Sequence, residues 1–244
     1  MPTLDEQIEE LAGRMKSANR IVFLTGAGIS TPSGIPDFRG TNPQNQHIVN
    51  LSKADFSRNT LEAYRTLWPF VLPALDAKPN FAHIYSVQLL KKRVIEAIIT
   101  QNVDSLFTLA GAAKVWELHG NIYSGYCSTC KQVYDLKQVW RHFGIAENIP
   151  LSACCNTYIR PDIVLFGEKI PAAIWEQAHR LSRASDLMVV IGSSLEVAPA
   201  SYLPELSKEI VIINQGPTAL DHKACLKIDQ DVMTVFRQLA KIIG

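Results

Sequence analysis

No stretch of this 244-residue chain approaches the ~20 consecutive apolar residues that a membrane span requires. There is no surplus of either charge. The 24 basic and 23 acidic residues leave a net of +1, which removes the electrostatic case for a nucleic-acid or membrane-surface partner. The start, Met-Pro-Thr-Leu-Asp-Glu, lacks the basic and then apolar segments of a secretory leader. Cysteine is scarce and odd in number: five in all, four of them between 127 and 155. That excludes an extracellular disulfide framework and leads us to expect a reducing, cytosolic setting. Internal repeats and low-complexity linkers are also missing. What is present is a chain 47% apolar, enough to bury one full core with room for a small insertion.

A complete dinucleotide fingerprint is missing too. The apolar run 21–24 opens into Gly26-Ala27-Gly28, but Thr31 stands where the third glycine belongs. No acidic residue ends a second strand ~20 residues on, where a ribose would be gripped. The loop continues instead through Gly34-Ile35-Pro36-Asp37-Phe38-Arg39.

The elements that are legible alternate. Thr3-Leu4-Asp5-Glu6 is a capping box, and Leu4, Ile8, Leu11 and Met15 recur at helical spacing behind it. Beyond 21–25, short apolar runs at 94–100, 115–118, 162–166, 187–191 and 210–213 are separated by amphipathic segments, 172–184 being the clearest. Runs apolar on both faces predict a parallel sheet buried between helix layers. Each run ends in small or polar groups: Thr25-Gly26, Gln101-Asn102-Val103-Asp104, His119-Gly120, Gly167-Glu168, Gly192-Ser193-Ser194 and Asn214-Gln215-Gly216. Ligands of open parallel sheets bind at the carboxyl ends of strands, so these ends predict one shared pocket. We expect 1–40, 93–120 and 160–244 to form the sheet domain. Segments 41–92 (helical) and 121–159 (cysteine-bearing) would pack together as a smaller module.

At a strand end, His119 is the natural general base, since only histidine ordinarily titrates near neutral pH. A structural histidine is the bland alternative, and it is the expected reading for His83, His142, His179 and His222. Asn102 and Asp104 could equally cap a helix starting near Val103. Cys225 reads as a core strand residue. Cys127-Ser128-Thr129-Cys130 is half of a structural zinc site.

The ordered motifs Gly26-Ala27-Gly28-Ile29-Ser30, Gly34 to Arg39, Gln101 to Asp104, Glu117-Leu118-His119-Gly120, Phe166-Gly167-Glu168 and Gly192-Ser193-Ser194-Leu195 resemble those of the sirtuins, NAD-dependent protein deacylases. The resemblance implies an α/β fold: a Rossmann-like parallel-sheet domain and a smaller zinc-binding plus helical module formed by two insertions. NAD and an acyl-lysine peptide would occupy the cleft between them, giving nicotinamide, O-acyl-ADP-ribose and free lysine. In this family the glycine loop serves cleavage of the nicotinamide–ribose bond rather than hydride transfer. His119 would be the base and Asn102 would orient ribose and water. Gly26, Ala27, Gly28, Ile29 and Thr31 would border NAD. Asp37, Phe38 and Arg39 would fold over it, with Phe38 shielding the reacting carbon. Gln101, Asn102, Val103 and Asp104 would line the nicotinamide side, Asp104 holding the carboxamide. Gly192, Ser193, Ser194 and Asn214 would bind phosphate and ribose, and Val232 would approach the adenine. Val164, Phe166, Gly167, Glu168 and Val197 would sandwich the peptide by strand addition.

One departure from the family pattern and one pair of pocket positions carry expectations of their own. The second zinc pair should fall five and eight residues before Arg160, yet Ser152 holds the outer position and Cys154 sits beside Cys155. Zinc on Cys127, Cys130, Cys155 and Cys154 is the favoured reading, a degenerate or metal-free site the other. Tyr64 and Leu67 occupy the positions where relatives that remove acidic acyl groups carry Tyr and Arg. Both are expected at the acyl pocket, favouring acetyl, propionyl or butyryl over succinyl. An ADP-ribosyltransferase using the same cleavage, or a non-catalytic NAD sensor, are the competing functions. The chain is expected to act as a monomer.

Overall fold

The capping box closes as the sequence predicts. In the computed structural model, which describes residues 2–37, 51–146 and 148–244, the Thr3 side chain accepts from Glu6 N and the Glu6 side chain from Thr3 N. The helix it starts, α1 (Leu4–Ser17), buries Ile8, Leu11, Ala12 and Met15. The strands in chain order are β1 (Ile21–Thr25), β2 (Ala97–Thr100), β3 (Trp116–Glu117), β4 (Gly120–Cys127), β5 (Val133–Asp135), β6 (Ile159–Ile163), β7 (Leu187–Ile191), β8 (Glu209–Ile213) and β9 (Leu226–Ile228). The remaining helices are α2 (Lys53–Arg58), α3 (Thr60–Asp76), α4 (Phe81–Lys91), α5 (Leu106–Leu109), α6 (Lys137–Ala146), α7 (Ala172–Ala184) and α8 (Val232–Ile243).

Six strands form one parallel sheet in the order β3-β2-β1-β7-β8-β9. The chain runs outward from β1 to β3, then returns to the other side of β1. This is the doubly wound arrangement, with its topological switch between β1 and β7. Side chains alternate faces along β1: Ile21 and Phe23 enter a core with α1, α4 and α8, while Val22 and Leu24 enter another with α7. Both faces are therefore covered, as a parallel sheet requires.

Four expectations are corrected. The run 162–166 is no parallel strand. The strand there is β6, which pairs antiparallel with β4 in a separate three-stranded sheet of order β5-β4-β6. The sixth parallel strand is instead β9. Cys225 is exposed and lies just before β9 rather than in the core. The third correction concerns α4, which packs Ala82, Tyr85, Val87 and Leu89 against the parallel sheet, outside the small module. Conversely, Ile163 and Leu165 belong to the small module's core and Ile170 to the sheet domain's, which moves the crossing expected at 160 past Leu165.

The fourth concerns Tyr64 and Leu67. Both are buried in the small module's core with Phe56, Trp140 and Phe143. The Tyr64 hydroxyl donates to Ile159 O (2.7 Å), and its ring meets Trp140 at 5.0 Å and Phe143 at 5.1 Å. These side chains are packed into the module's core rather than open to a cleft; an arginine at 67 would bury an unpaired guanidinium.

Candidate functional site

The carboxyl ends of the central strands lie side by side. Gly26 N donates to Ile191 O (3.0 Å), Gln101 N to Thr25 O (2.9 Å) and Gly192 N to Ile213 O (2.9 Å). A Cβ on Gly26 would stand 2.7 Å from Gly192 O, and one on Gly28 2.7 Å from Gly192 Cα. The glycines are therefore required first by contact between the loops after β1 and β7. Across the same seam Gln101 Nε2 donates to Ser193 Oγ (3.0 Å).

Ser30, absent from the expected site residues, is the hub below these loops. Its Oγ donates to Asp104 Oδ2 (2.6 Å), accepts from Asn102 Nδ2 (3.1 Å) and lies 3.4 Å from His83 Nε2. With the hydroxyl proton spent on Asp104, His83 Nε2 must be the donor, leaving Nδ1 as a buried acceptor with no partner among the described residues. Burial pushes the His83 pKa down to about 3, so its ring is neutral. Asp104 and Asn102 are each only 5% exposed. Burial pushes the Asp104 carboxyl up, against hydrogen bonds from Leu106 N and Ser30 that hold it down. Asp104 Oδ1 does accept from Leu106 N (2.9 Å) at the start of α5, as a cap would. Asn102 does not cap: its amide nitrogen also donates to Gly26 O (3.1 Å), tying the β2 end to the glycine loop. The signal for Ser30 was a hydroxyl inside an otherwise apolar turn.

His119 follows β3 and is half-buried. Its Nδ1 lies 2.9 Å from Gln101 O. A carbonyl only accepts, so Nδ1 carries the proton and Nε2 is the basic nitrogen. Burial lowers the pKa, and the bond to Gln101 partly restores it. A neutral, tautomer-fixed imidazole whose Nε2 has no hydrogen-bond partner among the described residues is in the form a general base needs.

The other expected residues are placed as follows. Ala27 begins the single turn that ends at the buried Ile29, and Thr31 is exposed with its hydroxyl on Gly28 O (3.1 Å). Asp37 is described; Phe38 and Arg39 lie outside the described residues. Val103 O accepts from Ile122 N (3.0 Å), and Ser194 O from Ala219 N (2.9 Å). Asn214 Nδ2 donates to Gln215 O (2.9 Å). Val232 is buried at the start of α8, in the core. Val164 N donates to His119 O (2.9 Å), which brings the chain after β6 to the base. Phe166 and Val197 are exposed at 48% and 36%.

The four cysteines converge. The sulfurs of Cys127, Cys130, Cys154 and Cys155 lie within 4.8 Å of one another. Tetrahedral zinc with Zn–S near 2.3 Å separates its ligands by about 3.8 Å, so the set fits. Ser152 is no ligand: its hydroxyl donates to Cys127 Sγ (3.3 Å), and with Thr157 it pulls that thiol down to about 5, toward the thiolate a metal binds.

With this geometry, the comparisons decide the family. The model of the Sir2 family matches residues 26–199. The chain belongs to the Sir2 family. This Sir2-family chain is 41% identical over 239 residues to an NAD-dependent protein deacetylase of Thermotoga maritima, covering 96% of this chain and 97% of that relative. It is 38% identical to another of the same name from Sulfolobus acidocaldarius, covering 94% and 92%. Among solved structures it is similar to "Sir2-p53 peptide-NAD+" (TM-score 0.88, 41% identity, 96% and 97% covered). It is equally similar to a Sir2 bound to a propionylated peptide (TM-score 0.88, 40% identity, 97% and 99% covered).

Proposed function

We propose that this chain is an NAD-dependent protein-lysine deacylase that transfers the acyl group to ADP-ribose. The observation that carries the reading is His119, its tautomer set by Gln101 O, beside the buried Ser30–Asn102–Asp104 network at the carboxyl ends of β1, β2 and β3. A buried polar floor at apolar strand ends fits the carboxamide of NAD. NAD supplies an electrophilic ribose carbon when nicotinamide leaves. Asp104 and Ser30 hold the amide end, Asn102 orients ribose and water, and His119 Nε2 takes a proton from a ribose hydroxyl. Gly26, Gly28, Gly192, Ser193, Ser194 and Asn214 border the phosphates and ribose. The peptide adds as a strand between the segment after β6 and the loop carrying Val197. Zinc on Cys127, Cys130, Cys154 and Cys155 is structural and takes no part in the chemistry.

Among the described residues no helix is long and apolar enough to cross a membrane. We place the chain in the cytosol as a monomer acting on acyl-lysine proteins; Cys225, outside the zinc set and in no disulfide, suits a reducing compartment. The test is to incubate it with NAD and an acetyl-lysine peptide and weigh every product. Free lysine peptide with O-acetyl-ADP-ribose is expected. ADP-ribosylated protein would make it a transferase, and unchanged NAD a binding protein.

A further inference from the structure

Arg160 is nearly buried, its side chain 9% exposed, on β6 of the small sheet. Its Nη1 donates to Pro161 O (3.0 Å), Ile163 O (3.3 Å) and Tyr126 Oη (3.3 Å), and its Nη2 to Glu168 Oε2 (2.5 Å). The guanidinium lies 5.4 Å from the Phe56 ring of α2 and 5.9 Å from that of Tyr126 on β4. One cation thus joins α2, β4, β6 and the turn beyond. Glu168 completes the device. The same Oε2 accepts from Leu165 N (3.0 Å) while Glu168 N donates to Leu165 O (3.0 Å). The turn from Leu165 to Glu168, with Gly167 at φ 81°, is locked from both ends. Leu165 is buried inside it and Phe166 stands out, 48% exposed. Upstream, Val164 N is bonded to His119 O, so the segment held by Arg160 begins at the base.

We infer that Arg160 is a positioning residue for acyl-lysine peptide, holding the 164–168 segment in register with His119 through the Glu168 carboxylate. The inference rests on the deacylase reading above. It also changes the part given to Glu168, whose carboxylate is committed to Arg160 and Leu165 N rather than to the peptide. A nearly buried Arg–carboxylate pair is poor evidence of stabilisation, because desolvation offsets the attraction. Fixing a backbone geometry is a role such a pair can fill, since the planar guanidinium satisfies several acceptors in one orientation.

The test uses full-length Glu168→Ala and Glu168→Gln, with Arg160→Lys as the conservative partner variant. For Glu168→Ala we expect the KM and Kd of an acetyl-lysine peptide to rise at least 10-fold. The kcat should change less than 3-fold and the KM for NAD less than 2-fold. Glu168→Gln, whose one amide oxygen can still accept from Arg160 and Leu165 N but without the charge, should fall between, and Arg160→Lys should resemble it. Without substrate, amide exchange should accelerate at Leu165 and Phe166 in Glu168→Ala, with the parallel sheet unaffected. Peptide constants within 2-fold of the unmodified protein in folded Glu168→Gln and Arg160→Lys would overturn the inference while leaving the deacylase reading intact. An unmodified protein that turns over no acyl peptide would overturn both.

Discussion

At the scale of the residue, two histidines with similar surroundings have opposite uses. His119 and His83 are both shifted down by burial, but only His119 gains a strong hydrogen bond at Nδ1, and only its Nε2 is without a hydrogen-bond partner among the described residues. We therefore expect His119→Ala to lower kcat for deacylation ~10²–10⁴-fold, the usual cost of a lost base, with NAD affinity within a few-fold. The acidic limb of the unmodified enzyme's kcat/KM profile should have its midpoint below 6.5, because a depressed pKa keeps the base deprotonated at lower pH. A His119→Ala protein with ordinary turnover, or a midpoint above 7, would remove the ring from the chemistry. His83 acts on stability instead. Its pKa is about 3 folded against 6.5 when free, so between these values the unfolded chain binds a proton that the native state refuses. Stability is lost as pH falls through that window, by about 1.4 kcal/mol per pH unit. Denaturant melts of His83→Leu and the parent at pH 7.5 and 5.5 should therefore converge by roughly 1 kcal/mol at the lower pH. A constant difference would place a charged His83 in the folded state.

At the scale of the element, legibility followed composition. β1, β7 and β8 were readable because strands buried on both faces are apolar throughout. β9 was not, because Lys227 interrupts it; its ammonium is spent on Gly216 O and Asp221, each at 2.8 Å, so the charge is no barrier to a sheet edge. β6 was misplaced because its residues, Ile-Arg-Pro-Asp-Ile, hide a strand, while the apolar residues beyond it form a turn. Only a long-range partner, β4, makes that segment extended. The glycine motifs were legible as a site but not for their first reason, contact between loops. This contact gives a paired prediction. Gly192→Ala places a Cβ 2.5 Å from Ile29 N at φ 60°, and should cost ~2–4 kcal/mol and most of the NAD affinity. Gly13→Ala, in α1 with nothing within 4 Å, should instead gain about 0.5–1 kcal/mol. Chemical denaturation of the two variants reads both signs, and equal effects would remove the steric argument.

At the scale of the whole molecule, three cores divide the labour. Two cover the faces of the parallel sheet, and the third, around Tyr64, Trp140 and Phe143, holds the small module. In the same module cysteines far apart in sequence converge: Cys127 ends β4, Cys130 lies in the turn toward β5, and Cys154 and Cys155 precede β6. A metal there cross-links the strand ends of a short three-stranded sheet and adds its binding energy to folding. The spacing left Cys154 or Ser152 open as the fourth ligand, because only the backbone turn shows that adjacent cysteines can both face one point. Removing zinc with a strong chelator should therefore act on the small module first. Melting should split into two transitions. Exchange should rise in β4, β5 and β6 while β1, β7 and β8 stay protected, and peptide binding should fail before NAD binding does. Cys127→Ala should reproduce this, since its thiolate is the one most favoured by its neighbours. Freshly purified protein with less than a tenth of an equivalent of zinc would show that the four thiols converge without a metal. A single, unshifted transition after chelation would show that the aromatic core alone suffices.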